Sequence, residues 1–433
     1  MATKKLDLVL FGATGFTGTQ TLKHLVQHVP SGFKWAIAGR SHQKLEALLP
    51  LCSDAASQPV IRLADSTDAA SVDKLVASTR VLIQLAGPYG KNGEVFVAAA
   101  AKHGTHYLDL TGEICWVAEM IERHQAAAVA SKAKIIPVCG FEALPFDMAA
   151  LLIASHLKAV TGERASSVEV INQFTGPPAF RPRDIWSGGT MASIKAMLEE
   201  GAGASLTDPA ALVTDDATAA HIRTAGRYEF RARFDKDCDA WLAPTVPAPF
   251  VNPPVIYRSI SLLAGLKSSP FARDCHYEEA MSTRGMAPFA LGQRVVAEML
   301  ARSFNAMAKS IDRDGALDQL GRAATKQLMD WIGPKPGQGP SEKHLEESGY
   351  TLRMKASSAS GAVVQGRATA HGHPGYRSTA MLIAEAGLLL AGAGAPECSA
   401  LPRRSGFLTP ATAFGAGSLP AWARAQMVFT FDQ

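Results

Sequence analysis

The first 150 residues alternate between short apolar runs and longer segments whose apolar residues recur at helical spacing. Short runs of this kind favour buried strands, and the longer segments favour amphipathic helices. The predicted strands are Leu8–Phe11, Lys34–Ala38, Val60–Ala64, Val81–Ala86, Thr105–Leu110 and Lys134–Val138. The predicted helices are Thr19–Val29, Leu45–Leu51, Ala69–Ala77, Glu94–His103 and Val117–Ser131. Strands that alternate with helices predict a parallel, doubly wound sheet with right-handed crossovers.

The pattern changes beyond Asp147, where strands no longer alternate regularly with helices. The later predicted elements are a helix at Met148–His156, a half-buried strand at Ser167–Phe174, a helix that begins at Ser187–Thr190 with Ile194, Met197 and Leu198 on its apolar face, a half-buried strand at Arg227–Phe234, a hairpin of Tyr350–Ala356 and Ala362–Thr369, and a long apolar helix at Ser378–Leu390 with a further helix after it. We therefore predict an α/β protein in three parts. Residues 1–150 form the parallel-sheet domain, residues 151–375 an inserted mixed α/β domain, and residues 376–433 a helical segment that packs back on the first domain.

Composition narrows the class of protein. The chain has 433 residues, is 47% hydrophobic and carries a formal net charge of +4. It shows no lysine-rich run or basic patch interleaved with aromatic residues, so we expect no nucleic-acid partner. The N-terminal MATKK runs directly into the first predicted strand, which argues against a secretory signal. The six cysteines have neither CxxC spacing nor metal-ligand spacing with histidine, which predicts reduced thiols, no metal site and a cytoplasmic location.

Three glycines at regular spacing join the first predicted strand to the first predicted helix, in the sequence GATGFTG (residues 12–18). The first glycine permits a tight turn, the second lets the backbone approach a pyrophosphate, and the third lets the helix pack closely on the strand. The helix N-terminus then presents free N–H groups to the anion. This context predicts a dinucleotide site that uses Gly12, Thr14, Gly15, Phe16 and Thr17.

The end of the second predicted strand indicates which dinucleotide binds. A site for NAD usually carries Asp or Glu there, to bond the ribose 2′-hydroxyl. This chain has Arg40, followed by Ser41 and Lys44, which can pair with a 2′-phosphate instead. The residue types therefore predict NADP. We expect Asp65 at the adenine edge of the site.

Several longer motifs resemble those of the saccharopine dehydrogenase-like oxidoreductases. They are GPYGKNGEVFVAAAAKHGTHYLDLTGE (residues 87–113), CGFEALPFD (139–147), SGGT (187–190), HPGYRSTAMLIAEAGLLLA (373–391) and GFLTPATAFG (406–415). The resemblance spans most of the chain. It is closer to the trans-acting enoyl reductases of mycobacterial lipid assembly, and to the animal saccharopine dehydrogenase-like protein, than to the lysine-pathway enzymes. It implies a Rossmann-type domain with an inserted α/β domain and a C-terminal helical return, and it implies lipid association in some members.

The nicotinamide of such a cofactor would lie near the ends of the fourth to sixth strands, beside Gly87 and Pro88. Reduction of C=C or C=N needs a proton as well as a hydride. Tyr89, Glu113 and Asp147 are the predicted catalytic residues, and Asp109 and Glu142 follow strands in the same region. These residues have structural alternatives. Asp147 can cap a helix, Asp109 can orient a backbone turn, and Tyr89 can be an aromatic residue at the rim.

Two related chemistries are disfavoured. Short-chain reductases need lysine four residues after a tyrosine, and none of the seven tyrosines has it. Semialdehyde reductases open with a similar GATG and use a cysteine nucleophile, for which Cys139 is the candidate here. A buried cysteine, however, is more often a small hydrophobic residue than a nucleophile.

These observations predict an NADP-dependent oxidoreductase that reduces the C=C bond of an apolar acyl or lipid-type substrate. Reduction of an imine is one alternative, because Arg181, Arg183, Arg231 and Arg233 could bind a dicarboxylic substrate. A non-catalytic protein that binds NADP at a lipid surface is the other. The amphipathic stretch Phe289–Phe304 leaves open whether the chain packs that helix in its core, associates peripherally with lipid or forms a homodimer.

Overall fold

The computed structural model describes residues 4–177, 207–224, 229–245, 249–287, 289–311 and 338–432, together with residues 184, 187, 188, 191, 334 and 335. Its first sheet consists of β1 (Leu6–Phe11), β2 (Trp35–Gly39), β3 (Val60–Leu63), β4 (Thr79–Gln84), β5 (His106–Asp109), β6 (Lys134–Ile136) and, late in the chain, β13 (Gly406–Phe407). All the strands are parallel, in the order β13-β6-β5-β4-β1-β2-β3. The α/β fold class and the six predicted strands are confirmed.

Helices cover both faces of this sheet, because alternate strand residues point to opposite sides. The helices are α1 (Phe16–His28), α2 (His42–Glu46), α3 (Ala69–Ala77), α4 (Tyr89–Asn92), α5 (Glu94–His103), α6 (Ile114–Ser131) and α7 (Leu144–Thr161), with a 3-10 turn at Leu49–Cys52. Leu8 and Leu10 of β1 pack in the cluster that contains α1 and α7. Val9 packs on the other side, with α3, α5 and α6.

A second sheet is formed by later strands. They are β7 (Ala165–Thr175), β8 (Arg233–Asp235), β9 (Ala240–Ala243), β10 (Phe271–Ser282), β11 (Gly349–Ser358), β12 (Val363–His371) and β14 (Met427–Phe431), in the order β14-β12-β11-β7-β10-β9-β8. Only β7 and β10 pair in parallel; the other pairs are antiparallel. The predicted hairpin and the predicted strand at Ser167–Phe174 are thus confirmed.

The larger of the hydrophobic clusters lies between the two sheets. Most of α7 is buried, and it packs with Val170 of β7, Leu352 of β11 and Leu8 of β1 in one cluster. We call the face of the second sheet that carries Val170 and Leu352 its inner face. Among the described helices, α7 alone is long and apolar enough to cross a membrane, but its burial between the sheets makes it a core helix.

The remaining described helices are α8 (Asp216–Thr224), α9 (Asn252–Ala264), α10 (Ala290–Ile311), α11 (Glu342–Glu347), α12 (Thr379–Leu390), α13 (Pro410–Phe414) and α14 (Leu419–Arg424). Single turns at Pro374–Ser378 and Ala416–Ser418 precede α12 and α14. All twelve residues of α12 are buried, and the helix packs against α1 and the first sheet.

The C-terminal segment differs in part from a purely helical return. Its last strand, β14, pairs with β12 and so belongs to the second sheet. Of the described part of the predicted strand Arg227–Phe234, residues 229–234, Arg233 and Phe234 are in a strand, β8. The helix predicted from Ser187 onward lies largely outside the described residues, as do Arg181 and Arg183. The domain boundaries at residues 150 and 375 stay predictions.

Candidate functional site

The glycine loop after β1 has the backbone that a diphosphate site requires. Gly12 has a φ of +86°, which L side chains rarely adopt. A Cβ at Gly18 would lie 2.2 Å from the Gly12 carbonyl oxygen, so only glycine lets α1 approach the strand this closely. Within the described residues, a Cβ at Gly15 would meet only that same oxygen, at 3.3 Å. The open side of Gly15 is where a ligand can reach the backbone.

The N-terminus of α1 is suited to an anion. Its N-cap residue, Gly15, has no side chain to bond the first N–H groups of the helix, and no acidic residue occupies the first turn. Thr14 and Gly15 are exposed, whereas Phe16 and Thr17 are half-buried. Uncapped N–H groups on a thirteen-residue helix, beside an open glycine, fit the diphosphate of a dinucleotide.

Phe16 connects the glycine loop to a later part of the chain. Its ring packs edge-on against Tyr376, with 5.3 Å between the ring centroids. A Cβ at Gly339 would lie 2.7 Å from the Phe16 ring, so residues near 339 also cover this side chain. The contacts show that Phe16 anchors the loop between two later segments.

The adenine end of the site is exposed. Arg40 and Lys44 are exposed at the carboxyl end of β2, and Ser41 caps α2 by accepting a hydrogen bond from the Lys44 N–H at 3.4 Å. Asp65 accepts hydrogen bonds from the Thr67 N–H and hydroxyl at 3.0 and 2.9 Å. These bonds, and the charge of nearby Arg40, lower the pKa of Asp65. The end of β2 therefore offers two cations, with one carboxylate bonded to its own turn.

The predicted catalytic residues Tyr89 and Glu113 are buried and bonded to backbone. The Tyr89 hydroxyl donates to the Gln84 carbonyl oxygen at 3.3 Å and accepts from the Leu110 N–H at 3.2 Å. The Glu113 carboxylate accepts from the N–H groups of Tyr89 and Gly90 at 3.0 and 2.7 Å. Burial raises the pKa of Tyr89 well above its ordinary value. Both side chains thus tie together the loops that follow β4 and β5.

Asp147 is fully buried at the start of α7. Its carboxylate accepts from the Ser259 hydroxyl at 2.6 Å and from the Ala411 N–H at 2.7 Å. Burial raises its pKa to about 7. These bonds join α7 to α9 and to the N-terminus of α13. They give Asp147 a structural role, and its assignment as a proton donor stays a prediction that no contact supports.

Asp109 and Cys139 hold the strand ends together. The Asp109 carboxylate accepts from the N–H groups of Thr111 and Val138 at 3.0 and 3.1 Å, and from the Tyr107 hydroxyl at 2.8 Å. Burial raises the pKa of Asp109 to about 7. Cys139 is buried, and its pKa is raised well above the ordinary value, so its thiol stays protonated. A nucleophilic role for Cys139 is therefore disfavoured, as the sequence indicates.

The loop between β6 and α7, residues 137–143, reaches the inner face of the second sheet. The Phe141 ring lies 4.8 Å from that of Tyr350 and 5.9 Å from that of Phe174, centroid to centroid. Several residues on the two sides of this contact are half-buried rather than closed off: Leu110, Gly112, Glu142, Phe174 and Glu279. We call the region of these five residues the inter-sheet cleft. Because Leu110 and Glu142 follow β5 and β6, the prediction that the nicotinamide lies near these strand ends places it beside this region.

Glu279 enters the cleft from the second sheet. It pairs in register with Val170 of β7, which places it on the inner face. Its carboxylate accepts from the Tyr277 hydroxyl at 2.8 Å and from Asn252 Nδ2 at 3.3 Å. Asn252 Oδ1 accepts in turn from the Ala143 N–H at 2.7 Å. Burial raises the pKa of Glu279 to about 7.

Sequence reasoning missed Asn252, Glu279 and Asn172. Asn172 is buried on the inner face of β7, and within the described chain neither its Oδ1 nor its Nδ2 has a hydrogen-bond partner. The alternation along β10 could have placed Glu279 on the same face as Cys275 and Tyr277. No local signal could have shown that this face meets the end of β6, since that contact depends on how the two sheets pack.

A second polar cluster lies away from the cleft. His24 Nε2 lies 2.8 Å from Glu385 Oε1, and Arg424 Nε lies 2.9 Å from Glu385 Oε2. His24, His28 and Glu385 place their ligand atoms within 4.8 Å of one another, which a metal ion could use. The guanidinium of Arg424 already neutralises this carboxylate, so an added cation would be repelled. The cluster ties α1 to α12 and α14, and the absence of a metal site stays a prediction.

Comparison with known proteins assigns this arrangement to a family. A family model described as the saccharopine dehydrogenase NADP binding domain matches residues 8–136. The trans-acting enoyl reductase of Mycobacterium bovis (strain BCG / Pasteur 1173P2) is 33% identical over 425 residues, with 96% of this chain and 94% of the relative covered. The trans-acting enoyl reductase of Mycobacterium ulcerans is 31% identical over 432 residues, with the same coverage, 96% and 94%.

One solved structure shares the fold across its length. Apo saccharopine dehydrogenase (L-Glu forming) from Saccharomyces cerevisiae superposes with a TM-score of 0.50 at 12% identity, covering 98% of this chain and 99% of that chain. The fold and the NADP-binding match define the protein as an NADP-dependent oxidoreductase. The chain belongs to the saccharopine dehydrogenase-like oxidoreductase family, and its relatives named above are trans-acting enoyl reductases.

Proposed function

We propose that the protein uses NADPH to reduce the carbon–carbon double bond of an α,β-unsaturated, apolar acyl substrate. The observation that carries the proposal is the chemistry of the inter-sheet cleft. As far as the structure describes its walls, the half-buried residues are apolar, aromatic or acidic: Leu110, Gly112, Glu142, Phe174 and Glu279. Such a lining suits an acyl chain. The names of the mycobacterial relatives support the same reaction.

Two arginines that could bind a dicarboxylic imine are already paired elsewhere. Arg233 pairs with Glu169, with Asp235 at 3.4 Å and with Glu278 at 3.5 Å. Glu278 is on the face opposite the cleft, because Glu279 is on the inner face and neighbours alternate. Arg231 is exposed and pairs with Glu229 at 2.7 Å. The contacts of both arginines favour an acyl substrate over an imine that carries two carboxylates.

Different residues would bind the different parts of the cofactor. NADPH supplies a hydride when it is bound. The loop at Gly12, Gly15 and the start of α1 would hold its diphosphate, and Arg40 with Lys44 would bind its 2′-phosphate. The hydrogen bonds that the Glu113 and Asp109 carboxylates accept fix the loops on which the nicotinamide would rest. Gly87, exposed, and Pro88, half-buried, precede α4 at that edge.

A comparison of substrate classes tests the reaction. NADPH oxidation is followed with an α,β-unsaturated medium-chain acyl thioester of coenzyme A, a cyclic imine and a β-keto thioester. We expect turnover with the first substrate and little with the other two. A saturated thioester of the same chain length is the matched control, since it should bind without consuming NADPH. Turnover of the imine alone would contradict the proposal.

Location and partners are also proposals. We propose a cytoplasmic location with peripheral lipid contact. The lipid contact is supported by Phe289, just before α10, and by Leu291 and Val295 of α10, which are exposed by 76%, 73% and 59%. Arg294 and Arg302 share this surface region with Glu298. Flotation with anionic vesicles should carry the wild-type chain upward and leave a Leu291→Glu, Val295→Glu variant behind. Sedimentation of the same two proteins tests whether this face forms a homodimer instead.

A further inference from the structure

We propose that Glu142 is the proton donor of the reduction, and that Asn252, itself held by Glu279, fixes the peptide that carries it. The proposal rests on the proposed function, because it takes the reaction to be reduction of a polarised double bond. It differs from the donors that the sequence predicts, Tyr89, Glu113 and Asp147.

The side chains of the three predicted proton donors all make structural hydrogen bonds. Both oxygens of Glu113 accept from backbone N–H groups, an arrangement that favours the ionised carboxylate. Both oxygens of Asp147 are bonded away from the cleft, to Ser259 and Ala411. The Tyr89 hydroxyl bridges two backbone groups and is buried. The ionised Glu113 carries no proton to give, and Tyr89 could give its proton only by breaking its bond to the Gln84 carbonyl oxygen. The bonds of Asp147 hold its carboxylate against α9 and α13.

Glu142 has the opposite properties. It is half-buried in the inter-sheet cleft, on the loop that joins β6 to α7. Within the described chain, no other residue donates a hydrogen bond to its carboxylate. Burial raises its pKa above the ordinary value, which favours the protonated acid. The neighbouring Phe141 ring packs against those of Tyr350 and Phe174, so the loop that carries Glu142 lies against the inner face of the second sheet.

The backbone on both sides of Glu142 is fixed. The Phe141 N–H donates to Thr379 Oγ1 at 2.9 Å, and the Ala143 N–H donates to Asn252 Oδ1 at 2.7 Å. Ala143 has a φ of +72°, a conformation that a non-glycine residue adopts only when its surroundings impose it. Glu279 bonds Asn252 Nδ2, and this bond sets which way the amide points. The loop therefore presents Glu142 in one defined position, as a proton donor requires.

The proton step balances with groups already named. When hydride is delivered to one carbon of the double bond, the electron pair moves to the neighbouring carbon. The O–H bond of the Glu142 carboxyl group breaks, and a C–H bond forms at that neighbouring carbon. The electron pair of the O–H bond stays on the carboxylate, which regains its proton from water in the cleft.

The test compares Glu142→Gln, Glu142→Asp and the wild-type chain. We expect the single-turnover rate of Glu142→Gln with the unsaturated thioester to fall by about a hundredfold or more. NADPH affinity, measured by fluorescence titration, should stay within about twofold, because the glycine loop is unchanged. Glu142→Asp keeps the acid and should retain more activity than Glu142→Gln. A matched control is Glu278→Gln, on the outer face of β10, which should turn over at the wild-type rate.

A second readout does not depend on turnover. The infrared difference spectrum between wild type and Glu142→Gln at pH 6 should contain the carbonyl band of one protonated carboxyl group. A wild-type rate for Glu142→Gln, or the absence of that band, would overturn the proposal. If the wild type reduces the imine rather than the thioester, the proposed function fails, and the same variants with the imine then test the donor separately.

The role of Glu279 as a positioning residue has its own test. Glu279→Gln keeps an oxygen for Asn252 Nδ2 and should hold kcat within a few-fold of wild type. Glu279→Ala removes that oxygen and should lower kcat by about tenfold, with the KM for the thioester and the affinity for NADPH little changed. Equal losses in the two variants would show that Glu279 itself donates the proton, and equal wild-type activity would show that it does not position the loop.

Discussion

The two ends of the proposed cofactor site differ in how their polar residues are held. At the adenine end, Arg40 and Lys44 are exposed on a loop after β2. At the nicotinamide end, Tyr89 and Glu113 are buried, and their polar atoms bond to backbone. Exposed groups on the first end can change without disturbing the fold. Buried groups on the second end cannot, so a substitution there alters stability as well as chemistry.

A charged residue at a strand end can have either of two roles, ligand binding or the joining of loops, and the sequence motif alone does not distinguish them. From the sequence, such a residue suggests ligand binding at both ends of the site. At the buried end, however, the same residue types serve to join loops. Affinity should therefore respond to changes at the adenine end, and the free energy of unfolding to changes at the nicotinamide end.

The largest effect should come from Gly15→Val. Gly15 has an extended backbone, with φ of −76° and ψ of 166°, which valine also adopts, so the fold should survive. The added side chain would occupy the open side of the loop, where the diphosphate must lie. We expect NADPH affinity to fall by more than about a hundredfold, or roughly 3 kcal/mol. Normal binding by a folded variant, checked by circular dichroism, would show that the phosphate lies elsewhere.

The next effect concerns stability and pH at the buried end. Burial holds the pKa of Asp147 at about 7 in the folded chain, whereas its ordinary value is 3.8. Between these values the folded chain binds more protons than the unfolded chain, so stability falls as the pH rises through this window. Asp147→Asn should reduce that fall by an amount on the order of a few kcal/mol. Urea unfolding at pH 5 and pH 8 measures it, and an unchanged pH dependence would refute the assignment.

Arg40→Asp tests the exposed end. It removes the cation and adds a charge that repels the 2′-phosphate but suits the 2′-hydroxyl of NADH. We expect NADPH affinity to fall by about ten- to a hundredfold, roughly 1.5–3 kcal/mol, while the midpoint of thermal unfolding stays close to wild type. Lys23→Asp, a charge reversal on α1 away from the end of β2, is the control. Equal affinities of wild type for NADPH and NADH would contradict the role given to Arg40.

Glu113→Ala should show the opposite signature. It leaves the N–H groups of Tyr89 and Gly90 without their carboxylate, a loss of about 1–3 kcal/mol in the free energy of unfolding. NADPH affinity should change much less than in the Arg40 variant. If Glu113→Ala keeps full stability but loses turnover, Glu113 is a catalytic residue and the contrast between the two ends is wrong.

The smallest effect is expected at Asn172. Its buried amide has no hydrogen-bond partner within the described chain, which costs stability. Asn172→Leu, of similar size, should stabilise the fold by about 1 kcal/mol. A rise in KM for the thioester in the same variant would show that substrate bonds this amide, and a loss of stability would show that the amide has a partner in the folded chain.

The sequence predicts the first domain well because its signals are local. The apolar runs, the glycine spacing and Arg40 each report geometry within a few residues of themselves, and the strands and the NADP-binding domain are confirmed. Glu142 could be placed at a strand end for the same reason. Asn252 and Glu279 could not be found, because their roles arise where β10 and α9 meet the loop after β6, more than a hundred residues away in the chain. The pairing of β14 with the second sheet likewise depends on long-range packing.

A crystal structure with bound NADPH would test this placement of the cofactor. We expect the diphosphate at Gly12–Thr17, the 2′-phosphate beside Arg40, and the nicotinamide in the inter-sheet cleft facing Glu142. Glu113 and Asp147 should keep their bonds to the N–H groups of Tyr89 and Ala411. A nicotinamide directed away from the cleft, or a Glu113 carboxylate that has left Tyr89 to contact the nicotinamide, would contradict it.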